Sequence, residues 1–299
     1  METRPPRHAD ANARRRSSAA AVRLLLAGFL CAAAVFGGAA ALDDPRIRDL
    51  LDIRIGPSGM AVGVAGNDGA QPATAAPATP PPGFEEADAP LSTPVRPAAA
   101  SDSYRFLAVN TDGSPVGYSP CRPLHYVINT ALAPDGAEHL VPDAIGTISA
   151  ATGIRFVYDG TTAEQPSPQR RPYQPEAYGD RWAPLLIAWT TPETAPQLKG
   201  KVIGTGGSTH FGYEGGPKTF VTGGLDLDAP QIANELRHPD GPMYATAVIL
   251  HELSHVMGLD HVDDHTQLMY PEIGLPEGLS TGDLNGLYEL SKVPCRKDL

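Results

Sequence analysis

Cysteine is scarce in this chain, with Cys31, Cys121 and Cys295 the only three among 299 residues. Basic charge is short as well: Lys and Arg number 23 against 34 Asp and Glu, a formal net charge of −11. The shortage deepens after residue 42. The preceding leader takes six arginines against two acids and leaves 17 basic against 32 acidic side chains, a net −15. A surface of that sign opposes nucleic-acid binding, which needs a basic face to neutralise phosphates. Large apolar residues are sparse in the first third, where many of the 31 prolines crowd; such a stretch cannot bury enough surface to offset its ordering entropy. No internal repeat of useful length is visible.

The leader itself begins with Arg4, Arg7, Arg14, Arg15, Arg16 and Arg23 and continues without a charge over residues 24–42, closing on Ala39, Ala40 and Ala41. Residues 1–42 therefore read as an export signal in one of two forms. A basic start, an apolar centre and small residues at the end suit a cleaved signal peptide. The uncharged length also just reaches that of a transmembrane anchor. Either form implies a secreted or membrane-anchored protein with its globular part outside, and contact with a membrane only through this segment.

Residues 43–102, which include "QPATAAPATPPPGFEEADAPLSTPVRPAAASD", follow neither the helical nor the strand period. They read as a disordered, extended Pro/Ala-rich linker. The short apolar run at residues 47–55 could form a helical turn or two. The globular domain is placed at residues 103–299. Strands are expected at residues 125–130, 155–158 and 185–189, with weaker ones from residue 202 and over 219–227, where Gly206, Gly207, Gly223 and Gly224 loosen the pattern. Val141, Ala144, Ile145 and Ile148 recur at helical spacing ahead of Gly153, and residues 245–257 and 282–290 read as further helices. The order implies an α/β or α+β domain around one central sheet.

The chemistry concentrates in "HELSHVMGLDH", residues 251–261. On a helix, positions four apart share a face, so His251 and His255 can reach one metal ion. Glu252 stands beside the first ligand, where a carboxylate could take a proton from zinc-bound water. Gly258 is a natural helix end, after which the chain can turn back and bring His261 to the metal. Three protein ligands leave a fourth position open, as a catalytic zinc site requires. Eight residues beyond His261 comes Met269, in "QLMYP". A bare HExxH arises by chance in unrelated helices; Gly258, His261 and Met269 together argue against chance here.

With "LMYP" and "LSTGDLNGLYEL", this motif resembles the matrixin branch of the metzincin zinc peptidases, the matrix-metalloproteinase-like enzymes. The resemblance is close over residues 248–290 and extends, more loosely, through "YSPCRPLHYVINT", "ATGIRFVYDG" and "RWAPLLIAWT", which are similar to actinobacterial matrixin-family peptidases. It implies a twisted, mixed five-stranded sheet over an active-site helix, a methionine turn, a C-terminal helix and a substrate cleft along one sheet edge. It makes His251, His255 and His261 the zinc ligands, Glu252 the catalytic base, Met269 the residue beneath the metal and Asp283 a structural acid. Residues 270–273 would wall the pocket beyond the cut.

The chain departs from the family in several places. Ser254 replaces a common glycine, Val262 follows the third histidine where serine is frequent, and no "PRCGxPD" latch is present. Only His210 and His238 fall between Arg181 and Asp240, too few for a second, structural zinc, so one zinc ion is expected. His210, His238 and His265 read as surface or loop residues. Asp226 and Asp228 alternate on an expected strand and could hold calcium through oxygen ligands, the plainer alternative being solvated strand positions. One of Asp260, Asp263 and Asp264 could orient a histidine. Cys121 and Cys295 form a disulfide if paired by an oxidising compartment; otherwise Cys121 could latch the metal. The function that follows is a zinc endopeptidase acting on extracellular proteins or peptides. Its alternatives are a cell-surface binding module that keeps the zinc fold without turnover and a zinc hydrolase of non-peptide substrates.

Overall fold

The computed structural model describes residues 79–272 and 278–299; the expected leader, residues 43–78 and Ile273 lie outside them. Among the described residues no helix is long and apolar enough to cross a membrane. The elements follow the chain as β1 (Arg105–Phe106), β2 (Leu124–Asn129), α1 (Leu140–Thr152), β3 (Phe156–Thr161), α2 (Pro175–Tyr178), β4 (Leu185–Thr190), β5 (Gly204–Phe211), β6 (Thr219–Asp228), α3 (Ala229–Glu235), α4 (Gly241–Met257), β7 (Leu259–Asp260) and α5 (Thr281–Leu290).

Five strands form one mixed sheet in the order β3-β2-β4-β6-β5. Its first four strands pair in parallel, and β5 closes the edge antiparallel to β6. Strand β4, "LLIAWT", is buried at every position, the run expected of a parallel strand covered on both faces. Leu185, Ile187 and Trp189 turn one way, into a core shared with α1, α4, Leu225 and Leu227. On a smaller second cluster, Tyr173, Trp182, Phe211, Val221 and Leu299 pack together. The loop joining β3 to β4 is held by Arg170, whose Nε and Nη2 donate to the two carboxylate oxygens of Glu164 at 2.8 and 3.0 Å. Helix α1 stops at Gly153, whose φ of 69° is left-handed and whose N–H donates to Ser149 O.

The expected linker requires correction at its C-terminal end. Residues 79–102 contain no helix or strand, yet they are strapped to the domain. Ala87 N donates to Cys121 O at 2.8 Å, Leu91 N to Pro120 O at 2.9 Å and Val95 N to Ala150 O at 2.8 Å. The Glu86 side chain is fully buried, 3.0 Å from Arg122 Nε, and accepts from the Arg296 amide. Proline lacks the N–H that a sheet would use, but a few donors between prolines suffice to fasten an extended chain. Composition alone does not separate that state from a free spacer.

Cys121 and Cys295 form the disulfide, closing a separation of 174 residues; the latch reading of Cys121 is thereby removed. Cys31 lies outside the described residues. By loop entropy, a closure of this length contributes up to roughly 5 kcal/mol. Cys121→Ser should therefore lower the melting temperature while leaving cleavage at low temperature intact, and thiol titration of the denatured, unreduced domain should find neither cysteine free. A free thiol at either position would disprove the bridge.

Candidate metal centre

Helix α4 carries His251 and His255 on one face, one turn apart. Both are buried, 3 % and 4 % exposed. The helix ends at Gly258, where φ is 120° and the amide donates to the Ser254 and His255 carbonyls. Only glycine adopts this conformation freely. The chain reverses through β7, and His261 returns to the helix with its Nε2 3.1 Å from Nε2 of both His251 and His255.

Hydrogen-bond partners assign the tautomers. His251 Nδ1 lies 2.7 Å from Leu268 O and His255 Nδ1 lies 2.7 Å from Leu259 O. A carbonyl only accepts, so both Nδ1 atoms carry the proton and both Nε2 atoms present lone pairs. Burial pushes His251 down to about 3, the neighbouring His261 adds to the shift, and the Leu268 carbonyl opposes it. His255 is lowered by burial and then by His251 and His261; His261 is lowered chiefly by burial. The Nε2 lone pairs of His251 and His255 thus converge on the His261 ring, an arrangement that a cation among them would hold together. The trio fits zinc, which takes histidine nitrogen at about 2.0–2.1 Å. These three are a group able to hold a metal ion; the other among the described residues, Glu86 with Cys121 and Cys295, contains the disulfide.

Glu252 stands on the side of α4 that meets β5. The Gly206 amide donates to its carboxylate, opposing the burial that pushes Glu252 up to about 8. A cation nearby would draw it down again. Strand and helix approach so closely that a Cβ on Gly206 would fall 2.1 Å from the Glu252 carbonyl oxygen, and one on Gly204 2.9 Å from Glu252 Cγ. Ser208 Oγ ties the same strand to the end of α4 by donating to Val256 O at 2.7 Å.

Met269, next to Leu268, is 1 % exposed, and its carbonyl accepts from the Val262 amide at 3.0 Å, closing a turn. Asp283 of α5, fully buried, accepts from the amides of Leu268 at 2.8 Å, Met269 at 3.2 Å and Ser280 at 2.8 Å. Its role is to brace this turn and cap α5. Asp260 accepts from the His261 amide at 2.8 Å.

This turn and helix fall within a stretch similar to a known family: residues 189–291 match the matrixin family model. The domain is matrixin-like. It is of the zinc-metallopeptidase type, and its mixed sheet has the five strands that the resemblance led us to expect. No curated protein matches the sequence. Among solved structures, archaemetzincin from Methanopyrus kandleri is similar at 15% identity, covering 55% of this chain and 93% of that one with a TM-score of 0.32.

The calcium expectation finds no support within the matrixin-like domain. Asp228 caps α3, with its carboxylate oxygens accepting from Gln231 N at 2.9 Å and Gln231 Nε2 at 2.8 Å. Asp226 accepts from Gln197. Neither belongs to a group of ligating side chains among the described residues. Burial raises Asp226 from 3.8 to about 6, partly opposed by Gln197. A carboxyl raised on folding binds its proton more tightly in the native state, so its contribution favours folding at low pH and is lost as pH rises toward about 6. Asp226→Asn should flatten the pH dependence of stability between about 4 and about 6, as read by denaturant titration at a series of pH values. An unchanged profile would rule out Asp226 as its source. His238 and His265 are exposed as expected, whereas His210 lies on β5 and is partly buried; none of the three belongs to the histidine group.

Several functional contacts have no counterpart in the sequence reading. The Leu259 and Leu268 carbonyls are backbone groups, which leave no side-chain signal. Gly204 and Gly206 do leave one, because glycine inside a strand often marks close backbone approach.

Proposed function

We propose that the chain is a zinc-dependent endopeptidase acting on proteins or peptides outside the cell membrane, with His251, His255 and His261 as ligands and Glu252 as base. The observation that carries this reading is the convergence of three histidine Nε2 atoms, 3.1 Å from His261 to each partner, two of them left with free lone pairs by carbonyls on Nδ1, with a carboxylate next to His251 on the same helix. When bound, zinc polarises the scissile carbonyl and lowers the pKa of water. The Leu268 and Leu259 carbonyls keep two imidazoles aimed at the metal. Glu252, oriented by the Gly206 amide, takes a proton from the attacking water and returns it to the leaving amine. Strand β5 is the last strand of the sheet, so its outer edge can pair with an extended substrate. Tyr270 to Glu272 would begin the wall of the pocket beyond the cut. The leader's composition supports export, either as a secreted or as an anchored protein.

The test measures zinc content and new peptide termini together, using the purified chain and a complex peptide library. One equivalent of zinc is expected, with cleavage abolished by a chelator and restored by zinc. One equivalent of zinc with no new termini would favour the binding module; no zinc at all would sink the reading.

A further inference from the structure

The third ligand sits on a stretch without regular structure, between β7 and the turn at Met269. This stretch performs two tasks. It delivers His261, and its Leu268 carbonyl fixes the His251 ring. A loop with such duties must be held by side chains, and the braces at Asp283 and Asp260 engage only its two ends.

Its middle is gathered by Asp264. One carboxylate oxygen accepts from Ser103 Oγ at 2.9 Å and from Gln267 Nε2 at 3.1 Å. The other accepts from Thr266 N at 3.0 Å and Thr266 Oγ1 at 2.7 Å. Gln267 is buried and extends the connection, its Oε1 accepting from the Gly282 amide of α5 at 2.7 Å. Ser103 belongs to the segment leading out of the N-terminal strap. Two residues later Arg105 pairs with Asp260, and Phe106 with Leu259, in the β1–β7 ladder. The same upstream segment thus grips the chain on both sides of His261, one residue before it and three after. It has little room to shift toward α5: a Cβ on Gly282 would fall 2.2 Å from Ser103 O and 2.7 Å from Gln267 Oε1.

We propose that Asp264 is a positioning residue for the metal centre, joining Ser103 of the upstream segment, the ligand-bearing loop and α5 so that His261 and the Leu268 carbonyl stand where the ion needs them. The inference rests on the zinc reading above. An ionised carboxylate only accepts, and here four donors saturate it; no neutral side chain of that size offers four acceptor positions. Outer partners of metal ligands act on affinity as well as turnover, commonly by 10–100-fold.

The experiment compares full-length Asp264→Ala, Asp264→Asn and Ser103→Ala with the parent protein. It reads zinc affinity by chelator competition, kcat and KM separately on a library-derived peptide, and melting temperature. Asp264→Ala should weaken zinc binding by roughly 10–100-fold and lower kcat more than it raises KM. Ser103→Ala should weaken zinc binding by up to about tenfold, and Asp264→Asn, which keeps one acceptor oxygen, should fall between the parent and Asp264→Ala. A lowered melting temperature with zinc affinity and kcat of both Asp264→Ala and Ser103→Ala within about twofold of the parent would reduce Asp264 to a stabilising role and overturn the proposal. Should Asp264→Ala fail to fold, Ser103→Ala decides on the same criterion. A parent protein that binds no zinc would refute the zinc reading itself, an outcome distinct from variants that match a zinc-binding parent.

Discussion

Glu252→Gln should keep its zinc and lose peptide cleavage by roughly 10²–10⁴-fold in kcat/KM, the range spanned by general acid–base catalysis. The substitution preserves shape and leaves an oxygen to accept from the Gly206 amide, but an amide cannot take up a proton at neutral pH. The three histidines are untouched: two are fixed through Nδ1 by carbonyls of Leu259 and Leu268, neither of which depends on Glu252. Metal content and turnover should therefore separate cleanly. Retention of activity within about tenfold of the parent would assign the proton transfer elsewhere.

The second large effect is expected at Gly206. An alanine Cβ there would lie 2.1 Å from the Glu252 carbonyl oxygen, 2.8 Å from its carbonyl carbon and 3.1 Å from its Cα. All three are backbone atoms, so no rotamer change relieves the clash, and β5 or α4 must move. Overpacking of this kind costs about 1–3 kcal/mol and sometimes more. The displacement also falls on the residue that bears the proposed base and on the strand proposed to pair with substrate. Gly206→Ala should depress both melting temperature and kcat/KM, the latter by at least about tenfold for a misplacement approaching 1 Å. Gly207→Ala is the control, since a Cβ there meets nothing within 4 Å. If the two variants behave alike, the close strand–helix approach does not govern activity.

The convergence of the three histidines was legible because these residues obey short-range rules. Two histidines four apart must share a helix face, and Gly258 must stop the helix before His261 can return. Asp283 and Met269 were legible through resemblance, although the three amides that the aspartate accepts could be counted only in the folded chain. Gly206 was seen and misweighed: it was read as loosening the strand pattern, whereas it admits α4, as does Gly204, which the sequence reading passed over. Asp228 was also misweighed. Its position ahead of Ala229 and Pro230 is a helix-start signal, and the structure uses it that way. Strands β1 and β7, two residues each, are too short to show a period. The Glu86–Arg122 contact and the grip of Ser103 on Asp264 join residues far apart in the chain, which no local pattern records.

Segments on both sides in the chain are needed to set the loop that follows His261, and this imposes an order in time. A polypeptide that emerges from its N-terminus presents Ser103 first and all three histidines next, while Asp283 follows Met269 by 14 residues. Until α5 has emerged, the amides of Leu268 and Met269 lack their acceptor and the carbonyl that steers His251 is untethered. Cys295, partner of Cys121 across 174 residues, arrives later still. A partly synthesised chain therefore carries every proposed ligand without a finished centre, and the hydrolytic capacity proposed here comes into being only when the last helix docks.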